Sequence, residues 1–236
     1  MQNKKMQLFI LPYAGGSIAS FKKVTERIDT RVDVVTVEYA GRGTRAKEPF
    51  AENFRMLLED AGQYCRARRT DELPFAVMGY SMGSVLAYEL LAGKVLAGEL
   101  KHLFVAAEVS PKERALELRK VPNPTQERIF ERVKKLGGFD ERLIQDKRFA
   151  DIFVRPMISD YKLFFEYQFG DHSGKIAADS TFFYCEKDTP YQEVKKWTDL
   201  IEGNTDYFEM GENHFFINRY YTDLAEVIND HLRPYL

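Results

Sequence analysis

Apolar and polar positions follow two alternating patterns along the chain, in which short apolar runs separate longer amphipathic stretches. The short runs are rich in β-branched and aromatic residues, which is typical of strands covered on both faces. We predict strands over residues 7–13, 32–40, 74–80, 102–109, 180–187 and 205–210. We predict helices over residues 18–28, 53–69, 82–97, 191–202 and 218–232. This alternation predicts an α/β protein with a mostly parallel central sheet flanked by helices.

One connection is much longer than the others. Residues 110–179 contain no convincing strand and are predicted to form several helices, punctuated at Pro111, Pro122, Pro124 and the Gly137–Gly138 pair. Connections in compact α/β domains are usually far shorter. We therefore predict a single domain over residues 1–236, with a helical insertion over about residues 111–170. An insertion at the carboxyl ends of the strands is where a lid over a site would lie.

Composition excludes several classes of partner. The 34 basic and 36 acidic residues are well mixed and give a formal net charge of −2, so nothing favours nucleic acid or an anionic membrane. The two cysteines and four histidines form no metal-ligand pattern, and we predict neither a metal nor a bound cofactor. No apolar run approaches the roughly 18 residues of a membrane span. We expect a cytoplasmic protein, and its length and mixed charge favour a monomer.

Candidate chemistry begins at the segment FAVMGYSMGSVLAYELL, residues 75–91, where a predicted strand meets a predicted helix. Gly79-Tyr80-Ser81-Met82-Gly83 forms a G-x-S-x-G motif at that corner. In this strand–turn–helix context the serine stands on a strained turn with its hydroxyl exposed at the edge of the sheet. The motif therefore predicts that Ser81 is a nucleophile, and the alternative is a tight structural turn.

A serine nucleophile needs a base, because its own hydroxyl barely ionises near neutral pH. In this architecture the chain order is serine, acid, histidine, so the base lies late in the sequence. His214, in the polar loop MGENHFFIN, follows the last predicted strand and is our candidate. His231 is predicted to lie on the surface of the last helix, and His172 is predicted to lie in a linker. His102 begins a strand that precedes the acid position.

The acid has two candidates. Asp188 follows the penultimate predicted strand and is favoured, although it could instead cap the helix after it. Glu108 ends the strand that follows the serine helix, and it remains the alternative. The acid would hold the correct tautomer of His214 and stabilise the imidazolium that forms when Ser81 loses its proton.

Acyl transfer also requires hydrogen-bond donors for the developing oxyanion. The N–H of Met82, directly after the serine, is one candidate. The loop LPYAGGS after the first strand supplies the other, with the N–H of Ala14 preferred to that of Tyr13. From the residues alone, the prediction is a serine hydrolase of the α/β class.

Five ordered segments resemble those of one family. They are LPYAGGSIASF, YAGRGTR, GYSMGSVLAYEL, RPMISDYKLFFEYQF and NHFFI. Together they are similar to the first loop, the P-G-R-x-x-R segment, the G-H-S-M-G elbow, the lid helix and the histidine loop of type II, editing thioesterases. These enzymes accompany nonribosomal peptide and polyketide synthetases. The departures include Tyr80 where the family has histidine and Ala40 where it has proline.

The resemblance implies an α/β-hydrolase fold with Ser81, Asp188 and His214 as a catalytic triad. It also implies hydrolysis of acyl or aminoacyl thioesters on the phosphopantetheine arm of carrier proteins, which are the expected partners. Two rival interpretations are a small-molecule carboxylesterase of the same fold and a non-catalytic α/β-hydrolase binding module. Thioesters and oxygen esters pass through similar tetrahedral oxyanions, so the triad alone does not distinguish them.

Overall fold

A parallel sheet forms the centre of the molecule. The computed structural model describes residues 4–120, 125–136, 150–170, 172 and 174–236. Within them the strands are β1 (Met6–Leu11), β2 (Val32–Thr36), β3 (Phe75–Tyr80), β4 (Leu100–Ala106), β5 (Asp179–Tyr184) and β6 (Thr205–Glu209). Their order is β2-β1-β3-β4-β5-β6, and every neighbouring pair is parallel. The predicted sheet is confirmed, and all its strands except β3 end before the predicted boundaries, where the chain turns into loops.

Helices connect the strands and cover both faces of the sheet. They are α1 (Ile18–Thr25), α2 (Phe54–Arg66), α3 (Met82–Ala92), α4 (Pro111–Leu118), α5 (Gln126–Lys135), α6 (Arg155–Phe165), α7 (Tyr191–Val194) and α8 (Tyr221–Leu232). The helix predicted over 191–202 is one α-helical turn followed by a 3₁₀ segment, Lys195–Asp199. Among the helices described, none combines the length and apolar character that a membrane crossing needs.

The core consists of two layers because side chains alternate across each strand. In β1, Leu8 and Ile10 pack on the face covered by α1 and α8, whereas Phe9 and Leu11 pack on the opposite face. Helix α3 lies on that opposite face and buries every residue from Met82 to Leu90. The helix that follows the candidate nucleophile is therefore held on all sides.

The long connection between β4 and β5 is helical, as predicted, in its described parts. Helix α4 begins with Pro111 after the cap Ser110, and a π-helical turn, Ala150–Val154, leads into α6. Helix α6 contacts α2 and α5, and Phe164 lies 6.5 Å from Phe54 between ring centroids. The predicted breaks at Pro122, Pro124 and Gly137–Gly138 lie outside the described residues.

Two histidines pack together near the amino-terminal end of β4. The ring of His102 is 5.0 Å from that of His231, and its Nε2 lies 2.8 Å from Thr181 Oγ1. Burial, assisted by His231, lowers the pKa of His102 to about 4. The His231 ring also bonds to Asp206 and is only 20% exposed. His231 therefore lies on the last helix, as predicted, but it is only partly exposed, because its ring packs against the sheet.

Candidate active site

Ser81 occupies a strained corner between β3 and α3. Its φ is 52° and its ψ is −122°, a conformation that costs a non-glycine residue about 1–3 kcal/mol. Hydrogen bonds hold the corner on both sides. The N–H of Ser81 donates to the carbonyl of Ala106 at the end of β4 over 2.8 Å, and the N–H of Ser84 donates to the carbonyl of Ser81 over 2.7 Å. The sharp turn predicted for the motif is present.

The two glycines of the motif allow backbone segments to approach closely. A Cβ atom on Gly79 would lie 2.3 Å from the Cα of Ser84, inside the first turn of α3. A Cβ atom on Gly83 would lie 2.0 Å from the carbonyl oxygen of Leu11. The start of α3 therefore packs directly against the loop after β1, which carries Ala14. The N–H of Met82, the first residue of α3, has no acceptor within the helix and is available as a donor.

The candidate residues lie at one edge of the parallel sheet, because each of them follows the carboxyl end of a strand. Ala14 follows β1, Ser81 follows β3, Asp188 follows β5 and His214 follows β6. The Nδ1–H of His214 donates to Oδ2 of Asp188 over 2.6 Å. The two side chains are only 6% and 14% exposed. The structure thus pairs the predicted base with the predicted acid, beside the end of the strand that presents Ser81.

Glu108, the alternative acid, is engaged elsewhere. Its carboxylate accepts hydrogen bonds from Arg114 Nε at 2.7 Å and from its own neighbour Val109 N–H at 3.0 Å. Both charged side chains are buried. Burial raises the pKa of Glu108, and the Arg114 guanidinium opposes that rise. The geometry therefore places Asp188 rather than Glu108 against the imidazole.

A buried ion pair fastens the loop after β1 to α6. Arg42 Nη1 and Nη2 donate to the two carboxylate oxygens of Asp160 over 2.5 and 2.6 Å, and these side chains are 3% and 1% exposed. The same carboxylate accepts the N–H of Gly15 at 2.8 Å, while Arg42 also donates to the carbonyl of Gly16 at 3.2 Å. The pair thereby fixes the residues that follow Ala14. The sequence analysis missed this contact, although Arg42 and Asp160 lie in two of the quoted segments.

We expect Asp160→Asn to lower the free energy of unfolding by about 3–5 kcal/mol, because the buried Arg42 cation loses its counter-ion. Urea denaturation of the wild type and of Asp160→Asn measures the difference in their free energies of unfolding. Asp60→Asn is the matched control, since Asp60 pairs with Arg45 in a more exposed setting and should cost at most about 1 kcal/mol. Equal losses in the two variants would contradict the special role of the buried pair.

A second buried carboxylate holds the segment that leaves α6. Glu89 in α3 accepts a hydrogen bond from the Tyr167 hydroxyl at 2.6 Å and another from His172 Nε2 at 2.6 Å. Burial, with the nearby Glu89, raises the pKa of the Tyr167 phenol. His172 lies in the connection between α6 and β5, where the sequence predicted a linker, and its side chain ties that connection to α3. Its partner is 83 residues away in sequence, so no local pattern indicates the contact.

The site combines a strained serine, placed between a parallel strand and a buried helix, with a histidine–aspartate pair at the same edge of the sheet. This combination defines an α/β-hydrolase. The family comparison agrees with this class. The thioesterase domain family matches residues 6–232, and the chain belongs to that family. The protein is therefore a thioesterase, a hydrolase of thioester bonds.

Curated relatives support the same family, and a solved structure shows the same fold. The chain is 25% identical over 218 residues to the medium-chain S-acyl fatty acid synthase thioesterase of Anas platyrhynchos, covering 91% of this chain and 86% of the relative. It is 27% identical over 239 residues to thioesterase PikA5 of Streptomyces venezuelae, covering 98% and 82%. The crystal structure of ClbQ, from the colibactin NRPS/PKS pathway, matches with a TM-score of 0.83, 23% identity and 98% coverage of both chains. The resemblance inferred from the sequence motifs is confirmed.

Proposed function

We propose that the protein hydrolyses acyl or aminoacyl thioesters on the phosphopantetheine arm of carrier proteins, and so clears stalled modules of a synthetase. The observation that carries the proposal is the 2.6 Å hydrogen bond between His214 and Asp188 at the edge of the sheet where Ser81 stands. Family membership supports the thioester bond as the target. The names of the relatives, which include fatty acid synthase thioesterases, support a carrier-bound substrate.

The first half of the reaction transfers the acyl group to the enzyme. His214 Nε2 takes the hydroxyl proton as Ser81 Oγ attacks the thioester carbonyl, and Asp188 stabilises the resulting imidazolium through Nδ1–H. The N–H groups of Met82 and Ala14 donate to the tetrahedral oxyanion. When the C–S bond breaks, His214 returns the proton to the departing thiolate. The products are the free phosphopantetheine thiol and an acyl ester on Ser81.

The second half regenerates the enzyme with water. His214 removes a proton from the water molecule as the oxygen attacks the acyl ester, and the same two N–H groups hold the second oxyanion. Collapse breaks the bond to Ser81 Oγ, which recovers its proton from His214, and the carboxylic acid leaves. The proposal includes a cytoplasmic monomer without its own cofactor or metal, because the phosphopantetheine group arrives on the carrier.

The helical insertion supplies the surface that receives the carrier in this proposal. Helix α6 supports the loop after β1 through Asp160 and Gly15, so it lies directly beside the proposed oxyanion donor. A carrier that contacts the insertion can therefore deliver its arm next to Ser81. In this proposal the insertion is also a lid that limits the size of the acyl group.

The test compares one acyl group on three leaving groups: a loaded carrier protein, free pantetheine and p-nitrophenol. We expect the highest kcat/KM with the carrier, since contacts remote from the reacting bond add binding energy in the transition state. The pantetheine thioester controls for the chemistry alone. Faster cleavage of the oxygen ester, with no advantage for the carrier, would favour a carboxylesterase. No cleavage of any substrate, with ligand binding preserved in Ser81→Ala, would favour a binding module.

A further inference from the structure

Tyr80 joins the nucleophile corner to the histidine loop through its hydroxyl group. The residue immediately precedes Ser81 and is fully buried. Its O–H donates to the backbone carbonyl of His214 over 2.6 Å, and its oxygen accepts the N–H of Ile217 over 3.4 Å. The Tyr80 side chain therefore contacts the backbone of His214, the proposed base, and the residue after Tyr80 is Ser81, the proposed nucleophile.

The surroundings of Tyr80 keep it in place and keep it protonated. Its ring centroid lies 5.6 Å from that of Tyr13 in the loop after β1 and 5.2 Å from that of Phe216 beyond His214. Burial raises the pKa of the Tyr80 phenol well above its usual value. The hydroxyl consequently remains a donor toward the His214 carbonyl across the pH range in which a histidine base operates.

The histidine loop packs against the core through Phe216 and Ile217, but it has few other hydrogen bonds to residues outside itself. The N–H of Phe215 donates to Asn213 Oδ1, and the N–H of Asn218 donates to the carbonyl of Phe215. Within the described part of the chain, the other hydrogen bonds of residues 211–218 stay in the loop and its following turn, or join His214 to Asp188. Among the described residues, the hydroxyl of Tyr80 thus makes the hydrogen bonds that join this loop to the strand that leads into Ser81.

We propose that Tyr80 is a positioning residue for the hydrolysis: its hydroxyl fixes the His214 backbone, and with it the imidazole, relative to Ser81. This inference rests on the proposed roles of Ser81 and His214. It assigns a function to the position at which this chain departs from the family motif, where histidine is usual. The residue touches no reacting atom, and it acts through the geometry of the base.

The test is Tyr80→Phe, which removes the hydroxyl and keeps the ring that fills the core. We expect kcat to fall about 10- to 100-fold with little change in KM, since a misplaced catalytic group costs about that factor. The rate constant for labelling of Ser81 by a fluorophosphonate should fall by a similar factor, because labelling also requires the base. Tyr207→Phe is the control, as it removes a buried hydroxyl in β6 that makes no hydrogen bond to the described residues of the histidine loop.

The outcomes separate this inference from the proposed function. A folded Tyr80→Phe with a lower melting temperature, but wild-type kcat and labelling rate, would show a purely structural role and overturn the inference. If only the inference about Tyr80 is wrong, Ser81→Ala is still inactive and the wild type is still labelled. If the wild type is not labelled and Ser81→Ala still cleaves thioesters, the roles proposed for Ser81 and His214 are themselves wrong. NMR gives a further test through the low-field proton resonance of His214 Nδ1–H. The positioning role predicts this resonance in the wild type and in Tyr207→Phe, and its loss in Tyr80→Phe.

Discussion

Replacing Ser81 with alanine is expected to lower kcat for thioester hydrolysis by about 10⁶-fold, the usual cost of removing such a nucleophile. The substitution deletes the only atom that would carry the acyl group in the proposed reaction. The released thiol is measured by stopped flow for the wild type and after long incubations for the variant. Together the two methods cover a range of about 10⁶-fold in kcat. Residual hydrolysis would come from the oxyanion donors and from binding alone.

The same substitution should leave the fold intact. The Ser81 side chain makes no capping hydrogen bond to α3, and alanine meets the same backbone strain as serine at this φ. Ser84→Ala is the matched control, because it removes another buried hydroxyl from the same helix, one that donates to the Ala106 carbonyl over 3.3 Å. We expect this control to remain active. A Ser81→Ala protein that keeps most of its activity would exclude Ser81 as the nucleophile.

Asp188→Asn is expected to lower kcat by about 10⁴-fold, because an amide favours the wrong tautomer of the histidine and leaves the imidazolium without a counter-ion. The imidazole should remain in place, since the substitution preserves the size of the side chain. Steady-state kinetics with one thioester gives kcat and KM for the variant and the wild type. We expect most of the loss to appear in kcat.

Glu108→Gln distinguishes the two carboxylates. Its partner Arg114 would lose its buried counter-ion and keep only its ion pair with the half-exposed Glu117, so this variant should lose stability while the folded fraction retains its chemistry. Melting curves identify a temperature at which both variants are folded, and kinetics are compared there. If Glu108→Gln then loses more activity than Asp188→Asn, the acid comes from β4 and the proposed triad is wrong.

The sheet and the serine corner could be predicted because local patterns encode them. Runs such as residues 75–80 are apolar throughout because α-helices cover both faces, and the Gly79 and Gly83 positions mark close backbone contacts. Element boundaries were less predictable. Helix α3 ends at Ala92 rather than at residue 97, because the chain turns at Gly93 and Lys94 adopts a left-handed conformation.

The arrangement around the serine depended on contacts that sequence spacing does not reveal. Asp188 and Glu108 both follow strands at the same edge of the sheet, so the sequence left the choice open. The structure separates them because Arg114, six residues after Glu108, binds that carboxylate. The bond from Tyr80 to His214 spans 134 residues, and a departure from the family motif was its only sequence signal.

Intact-mass spectrometry of the enzyme after mixing with an acyl-loaded carrier decides whether Ser81 carries the acyl group. The reaction is quenched with acid within milliseconds to seconds, and the enzyme is then digested to locate any added mass. We expect an increase equal to one acyl group on the peptide that contains Ser81, absent in Ser81→Ala, while the carrier returns to its free thiol. Deacylation of the carrier by Ser81→Ala at the wild-type rate, with no acylated peptide in either protein, would contradict the proposed mechanism.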